Sequence, residues 1–399
     1  MRRFIHNCMI SIFVLSVITT HIYMNYLGIP FAAIELGLIP LVIIFSRKYC
    51  FFSEQDIIRV ITIILILSTL SLIFLSTEQF LTIWKVIRSY LLFFFAFFFF
   101  YRNDFKEWDR LYQISCISVV FDIISSLLHL NTNVLDGDKE DAFIINILLP
   151  LFVISYSYLK KGKLQFLFIC VICLLDGFFS ITRGNMLYVV ITIILSLLIL
   201  DPKSSIRRII PMILVSIFVF NVYLSVEDDL EEYSPSMHYR LYTKIINREE
   251  ANHEGDELRK GHLMYLIEHF DYCVIPHGLP SRESAIVSKK NERLMWSVRD
   301  CSLNELVYTY GILGYFAPFL LLVGAIKLYR KKRDDRMNRI FSLCFLVIDA
   351  YLFTGYGLLS TPSTVLYLGM IMGSSWRILF YNNVQNNIAN INRKTICSL

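Results

Sequence analysis

Charge-free, mainly apolar runs of 18 residues and more recur along this chain, as in VITIILILSTLSLIFLST over 60–77. In lipid every backbone N–H and C=O must find its partner inside the protein, so only helices and closed barrels span a bilayer. Barrel strands would read as alternating stretches of about ten residues. These runs do not alternate, so the expected fold class is all-α: a polytopic integral membrane protein with about 12 transmembrane helices. Composition agrees, with 56% hydrophobic and 15% aromatic residues and a mean hydropathy of +0.56. The net charge of +5 is less telling than where the charges fall, and nucleic acid is not an expected partner. MRRFIHNCMISIFVL could pass for a signal peptide. No small-residue cleavage site follows it, so it reads as a retained first helix.

The expected spans are 5–25, 29–45, 57–76, 81–100, 111–130, 142–159, 164–181, 184–200, 207–225, 303–326, 338–356 and 361–380. One set of connections is rich in Lys and Arg: Arg2/Arg3, Arg47/Lys48, Arg102/Lys106/Arg110, Lys160/Lys161/Lys163, Lys203/Arg207/Arg208, KLYRKKRDDRMNR at 327–339, and Arg393/Lys394. The alternate set is nearly free of them. The positive-inside rule then puts both termini in the cytoplasm. Residues 1–225 form the first nine spans, 226–302 an external loop, and 303–399 the last three spans with a cytoplasmic tail. The loop is 77 residues long, carries 10 Lys/Arg against 15 Asp/Glu, and holds five of the eight histidines. Its length is more than a connector needs. LRKGHLMYLIEHF, 258–270, sets Leu263, Leu266, Ile267 and Phe270 on one face, the pattern of an amphipathic helix lying on a membrane surface.

Several residues could carry chemistry. Arg183 stands at the external joint of spans seven and eight, on one helical face with Asp176 and Ser180. A guanidinium offers planar bidentate donors to phosphate oxygens, and an arginine at a helix end also snorkels to the interface. Lys85 and Arg88 lie near the external end of span four, suited to interfacial anchoring or to lipid phosphate. Asp122 lies within span five with Ser125, Ser126 and His129. Intramembrane acids are costly and face a partner or a cavity. Glu35 and Asp349 are single acids of the same kind. The loop adds Arg240, Arg259 and Arg282. Asp300 stands immediately outside span ten, where a carboxylate can accept a hydroxyl proton or simply stabilise a helix N-terminus. Cys273 and Cys301 would pair if their loop is oxidising ground. No Cys/His metal spacing occurs outside the membrane.

The order of these motifs resembles the superfamily of Wzy-type O-antigen polymerases and WaaL-type O-antigen ligases. Its members carry a Ser-Arg-Gly-like motif where two spans meet externally, here Thr182-Arg183-Gly184. Their loop reads Arg, an apolar helix, then Pro-x-x-Gly, here Arg259, LMYLIEHF, and Pro276-His277-Gly278 with one residue fewer. It closes with His-Asn or Asp-Asn, then Gly-x-x-Gly, here Asp300-Cys301 and Gly311-Ile312-Leu313-Gly314. Ligases resemble one another in having histidine where Asp300 stands, so the resemblance tilts toward polymerase. It implies transfer of glycan from undecaprenyl pyrophosphate to a sugar hydroxyl at the external face of a bacterial cytoplasmic membrane. Arg183, Arg259 and Asp300 would be catalytic. Lys85, Arg88, Arg240, Arg282, Asp122 and Asp176 would bind substrate. The implied partners are the lipid-linked oligosaccharide, the bilayer and a chain-length co-polymerase. No metal or other cofactor is expected, because arginines would neutralise the leaving pyrophosphate. An O-antigen ligase and a lipid-linked oligosaccharide flippase are the competing expectations. Against the flippase, neither two similar halves nor unwound mid-membrane helices are visible.

Overall fold

The structure is a computed structural model. It describes residues 2–22, 39, 42–44, 53–75, 83–132, 148–160, 163–179, 183–200, 221, 266–280, 285–287, 295–297, 301–331, 336–355, 358–359 and 362–381. The chain is helical: α1 (Arg2–Ile22), α2 (Glu54–Phe74), α3 (Trp84–Arg102), α4 (Trp108–Thr132), α5 (Leu148–Lys160), α6 (Lys163–Phe179) and α7 (Arg183–Leu200) make its first part. The second part holds α8 (Phe270–Cys273), α9 (Ser302–Tyr310), α10 (Ile312–Tyr315), α11 (Ala317–Arg330), α12 (Arg336–Thr354) and α13 (Pro362–Trp376), which runs into a π-helical turn, Arg377–Tyr381. A two-stranded antiparallel ribbon, β1 (Ala285–Val287) and β2 (Met295–Ser297), pairs Ile286 with Trp296. It is a small addition to the all-α expectation.

The start of α4 meets the start of α1 and the end of α5, and the end of α13 meets the end of α3. The cation-rich ends gather together. Arg110 Nη1 donates to Asn7 Oδ1 at 2.7 Å, and Tyr156 Oη donates to Asp109 Oδ1 at 3.1 Å. Arg377 Nη1 caps the end of α3, donating to the Arg102 carbonyl at 3.0 Å. Lys331 Nζ donates to the Leu379 carbonyl at 3.1 Å. Cations at helix C-termini satisfy the orphan carbonyls there. Ser53 caps α2 in a reciprocal box with Asp56. Arg102 then closes on both Asp56 oxygens and on Ser53 Oγ at 3.1 Å. Asp56 is buried, and its charge is matched by a fork of donors.

The interior is mainly apolar, but it also encloses polar side chains. Ser115, Asp122, Ser155, Asp176, Thr192, Ser342 and Ser375 are all buried. Ser115 Oγ and Tyr367 Oη meet at 2.7 Å. Ser155, Thr192 and Ser375 donate to carbonyls one turn back at 2.6–2.7 Å, and Ser342 donates across to Ala325 O at 2.8 Å. The outside is apolar: Ile58, Leu65, Ile66 and Ile73 of α2, and Leu187, Val190, Ile194 and Leu198 of α7, are exposed. Spacings of three and four in α7, and of two full turns in α2, put each set on one flank of its helix. Among the described residues α2 alone is long and apolar enough to cross a membrane by length and composition, with 21 residues, mean hydropathy 2.6 and 11% of it buried.

The most extensive helix pair is α3 on α13. Gly369 and Gly373, four residues apart, let the backbones close. A Cβ on Gly369 would sit 2.5 Å from Phe93 O, and one on Gly373 2.2 Å from Phe97 O. Small residues at this spacing are how helices approach where lipid removes the hydrophobic driving force.

Two expectations are corrected. Span ten, 303–326, is not one helix. It breaks at Gly311 and again at Phe316, giving α9, α10 and α11. Gly311 has φ +61, and a Cβ there would meet Val274 O at 2.4 Å and Pro276 N at 2.7 Å. The backbone of the loop occupies the place where a straight helix would continue. No disulfide joins Cys273 to Cys301, and both thiols are buried. The amphipathic segment 258–270 is described only from 266, where Leu266 is buried and Ile267 and Phe270 are exposed.

Candidate functional site

The loop enters the bundle at Val274–Pro280, and this turn joins the two motif segments that the sequence separates by more than thirty residues. His277 N donates to Tyr308 O and Ile312 N donates to Val274 O, both at 2.9 Å. Tyr315 Oη donates to Leu266 O at 2.9 Å. On its other side the turn grips α2. Leu279 N donates to Ser71 Oγ at 2.7 Å, and Ser71 Oγ donates to Leu67 O at 2.8 Å. Gly278 has φ +83, and a Cβ there would meet Leu67 O at 2.4 Å. The glycine supplies both the left-handed backbone and the space.

His277 is enclosed by rings: Tyr272 at 4.0 Å, Phe74 at 4.3 Å and Tyr308 stacked at 4.9 Å. Burial holds its pKa below the usual histidine value, and a contact with the Ile275 carbonyl works weakly the other way. The ring is therefore neutral near neutral pH. Burial raises the Tyr272 phenol, with Cys273 adding to the effect.

α9 is fixed by its ends. Ser302 N donates to Gly355 O at 2.8 Å, and Cys301 Sγ reaches Leu352 O at 3.4 Å. In its first turn stands Glu305, 1% exposed. Glu305 lies within electrostatic range of the Tyr90 and Tyr310 hydroxyls, and Tyr90 lies against Thr309 and Tyr310. The cation-bearing start of α3 and the helix that follows Asp300 thus share one buried polar patch. Sequence reasoning missed Glu305. Its signal was present: a lone acid inside the apolar stretch LNELVY, five residues after Asp300.

The candidate residues fall as follows. Arg183 opens α7 and Lys85 opens α3, both beyond the described side chains of those helices. Arg88 is half-buried in the first turns of α3. Tyr188, five residues into α7, packs on Tyr351 at 4.7 Å and lies beside Cys301. The Arg183 end of α7 therefore approaches the start of α9. Asp122 of α4 and Asp176 of α6 are both buried and sit within electrostatic range of each other. Counting the helical rise, each lies about 20 Å from the cation-rich end of its helix. They form an interior pair between α4 and α6, below the helix ends. Asp349 is half-buried on α12. Arg240, Arg259, Arg282, Asp300 and Glu35 lie outside the described residues.

Comparisons with known protein families, with curated proteins and with solved structures return no match.

Proposed function

We propose that this chain is a polysaccharide polymerase of about twelve membrane spans, working at the external face of a bacterial cytoplasmic membrane. It moves a glycan from undecaprenyl pyrophosphate onto a sugar hydroxyl of a second lipid-linked repeat unit. The observation that carries the reading is the junction at Val274–Pro280. There the segment that carries Pro276-His277-Gly278 packs on the one that carries Gly311-to-Gly314, through hydrogen bonds from His277 N to Tyr308 O and from Ile312 N to Val274 O and the close approach of Gly311 to Pro276. Residence in a bilayer draws its support from the apolar side chains exposed along α7 and from α2, whose aliphatic flank is open. A helix that apolar is stable in water only when its face is covered.

In this reaction the acceptor oxygen attacks the anomeric carbon of the donor. The bond from that carbon to the pyrophosphate oxygen breaks, and undecaprenyl pyrophosphate leaves with the electron pair. Asp300 takes the acceptor proton. Arg183 and Arg259 neutralise the charge gathering on the leaving group, an effect on the order of 10²- to 10³-fold in rate for each. The α9–α10 junction holds the loop over the site and keeps out water that would hydrolyse the donor.

The test is a glycan gel of cells lacking this protein beside the complemented strain. The reading expects carriers with a single repeat unit in the mutant and a restored ladder on complementation. An unchanged ladder in the mutant, or long polymer from Arg183→Ala at normal expression, would overturn it. Loss of the single-unit band with accumulation of lipid-linked polymer would identify a ligase instead.

A further inference from the structure

Hydrogen bonds tie four helix ends to one level. Arg102 at the end of α3 closes on Asp56 at the start of α2. Arg377, where α13 passes into its π-helical turn, donates to the Arg102 carbonyl, and Lys331 at the end of α11 donates to Leu379 O of the same turn. Charged side chains at helix ends stand at the hydrocarbon boundary or beyond it, so depth can be counted from this level.

Three of the helices lead from it to the loop. Ser71, which holds Leu279, stands fifteen residues along α2 from Asp56, about 22 Å. Tyr90, whose ring lies 6.5 Å from that of Tyr310, is twelve residues along α3 from Arg102, about 18 Å. Phe316, where α10 meets α11, is fifteen residues from Lys331, about 22 Å. The hydrocarbon of a bilayer is about 30 Å thick, and tilt shortens the reach of a helix across it. All three rulers stop short of the far surface. The turn at Val274–Pro280 therefore lies at the depth of the opposite leaflet.

Non-helical backbone survives there only where protein covers it and satisfies it. Gly278, Leu279 and Pro280 are buried. His277 N and Ile312 N donate to Tyr308 O and Val274 O, and Leu279 N donates to Ser71 Oγ. The side chains around the turn face outward instead. α8 lies along α10, with the Phe270 ring 5.5 Å from Tyr315. Ile267 at 70% and Leu313 at 68% exposure join Phe270, Ile275 and Phe316 in one exposed apolar stretch, which runs on into Phe319 of α11. No Lys or Arg occurs in 266–280 or 301–326 to hold a headgroup phosphate. Asp271 is the exposed charge of the segment, so α8 lies near the hydrocarbon boundary and not at the bilayer centre.

We propose that the loop is re-entrant: its turn at Val274–Pro280 sinks into the outer leaflet, and Ile267, Phe270 and Ile275 with Leu313 and Phe316 form a ledge that docks on lipid acyl chains. This differs from a helix resting on the membrane surface. Leu266 turns inward, and half of the apolar face comes from α10, a piece of the broken span. The proposal rests on residence in a bilayer and needs nothing of the transfer reaction.

The experiment uses the full chain in vesicles of phosphatidylethanolamine and phosphatidylglycerol, without glycan. A photoreactive benzoylphenylalanine replaces Phe270, Leu313, Ile73 on the open flank of α2, or Lys106 beyond the end of α3, one at a time. Adducts formed on illumination are identified by mass spectrometry. Positions 270 and 313 are expected to give phospholipid adducts in yields comparable with position 73 and several-fold above position 106. Yields no higher than at 106, or crosslinks from 270 and 313 to a second copy of the chain in place of lipid, would overturn the proposal. If a substituted chain does not fold, the parent chain is labelled by a phospholipid with a carbene precursor in its acyl chains. Peptides covering 266–275 and 312–316 should then be tagged, and their absence from the tagged set overturns the proposal. Adducts at 73 without any at 270 and 313 remove the ledge and leave the spans. No adduct at any position removes bilayer residence as well. Polymer formation enters none of these readouts, so the transfer reading stands or falls by its own test.

Discussion

Replacing Gly373 by alanine tests how the bundle is held together. A Cβ at this position would lie 2.2 Å from the Phe97 carbonyl oxygen and 3.0 Å from its carbon and Cα. All three are backbone atoms of α3, so no side-chain rotation relieves the contact. Ordinary van der Waals separation requires the two helices to part by about 1 Å. That shift loosens the most extensive helix pair among the described residues. Overpacking of this kind costs about 1–3 kcal/mol. Gly373→Leu removes the close approach altogether and should cost more. Gly324→Ala is the control: its Cβ meets only the Phe345 ring, at 2.8 Å, and a ring edge can turn aside. The assay is unfolding of the purified protein in mild detergent on titration with a denaturing one. Gly373→Ala should shift the midpoint clearly further than Gly324→Ala. If Gly373→Ala matched the parent, or the two alanines were equivalent, the close backbone approach of α3 and α13 would not be what stabilises the fold.

Three further outcomes follow from the geometry. Arg102→Leu strands the buried Asp56 carboxylate and should destabilise by roughly 3–5 kcal/mol, while Arg102→Leu with Asp56→Leu should recover much of the loss; the same unfolding titration reads both. Gly278→Ala forces a left-handed residue into the Leu67 carbonyl and should cost on the order of 2–4 kcal/mol, seen as faster hydrogen exchange in the C-terminal half of α2. His277 is neutral in the folded protein because burial lowers its pKa. A group with a depressed pKa adds stability that is present above its ordinary value, near 6.5, and is lost as pH falls toward the folded value. Thermal stability of the parent should therefore drop below about pH 6.5, and the drop should be smaller in His277→Phe; identical pH profiles would exclude His277 as its source.

The helices could be read from the sequence wherever one apolar run makes one helix. The expected 164–181 and 184–200 emerge as α6 and α7, because a continuous apolar run specifies a helix without tertiary help. The cations at helix ends such as Arg102, Arg110 and Lys331 were legible for the same local reason, since Lys and Arg cluster where helices stop. What failed depends on other parts of the chain. The break at Gly311 arises because the backbone of residues 274–276 lies where a Cβ would go, and an apolar run carries no sign of that. The Asp56–Arg102 clamp joins residues on different helices, so no spacing announces it. Gly369-x-x-x-Gly373 was visible as letters, but its meaning came only with α3 against it. At the candidate site, the resemblance set Pro276-His277-Gly278 and Gly311 in order along the chain, and the packing of their two segments on each other is a tertiary fact. Glu305 was overlooked because a single acid in an apolar stretch looks like an isolated cost until Tyr90 and Tyr310 are placed beside it.

The central claim is tested most directly by reconstitution. The purified chain is placed in liposomes with the undecaprenyl-pyrophosphate-linked repeat unit of its own cell as the sole glycan, and the products are released and run on a gel. The account predicts a ladder of multiples of the repeat that grows with time, together with free undecaprenyl pyrophosphate. Arg183→Ala should slow the ladder by about two orders of magnitude or more. Single repeat units that persist unchanged, with a correctly folded chain in the bilayer, would contradict it.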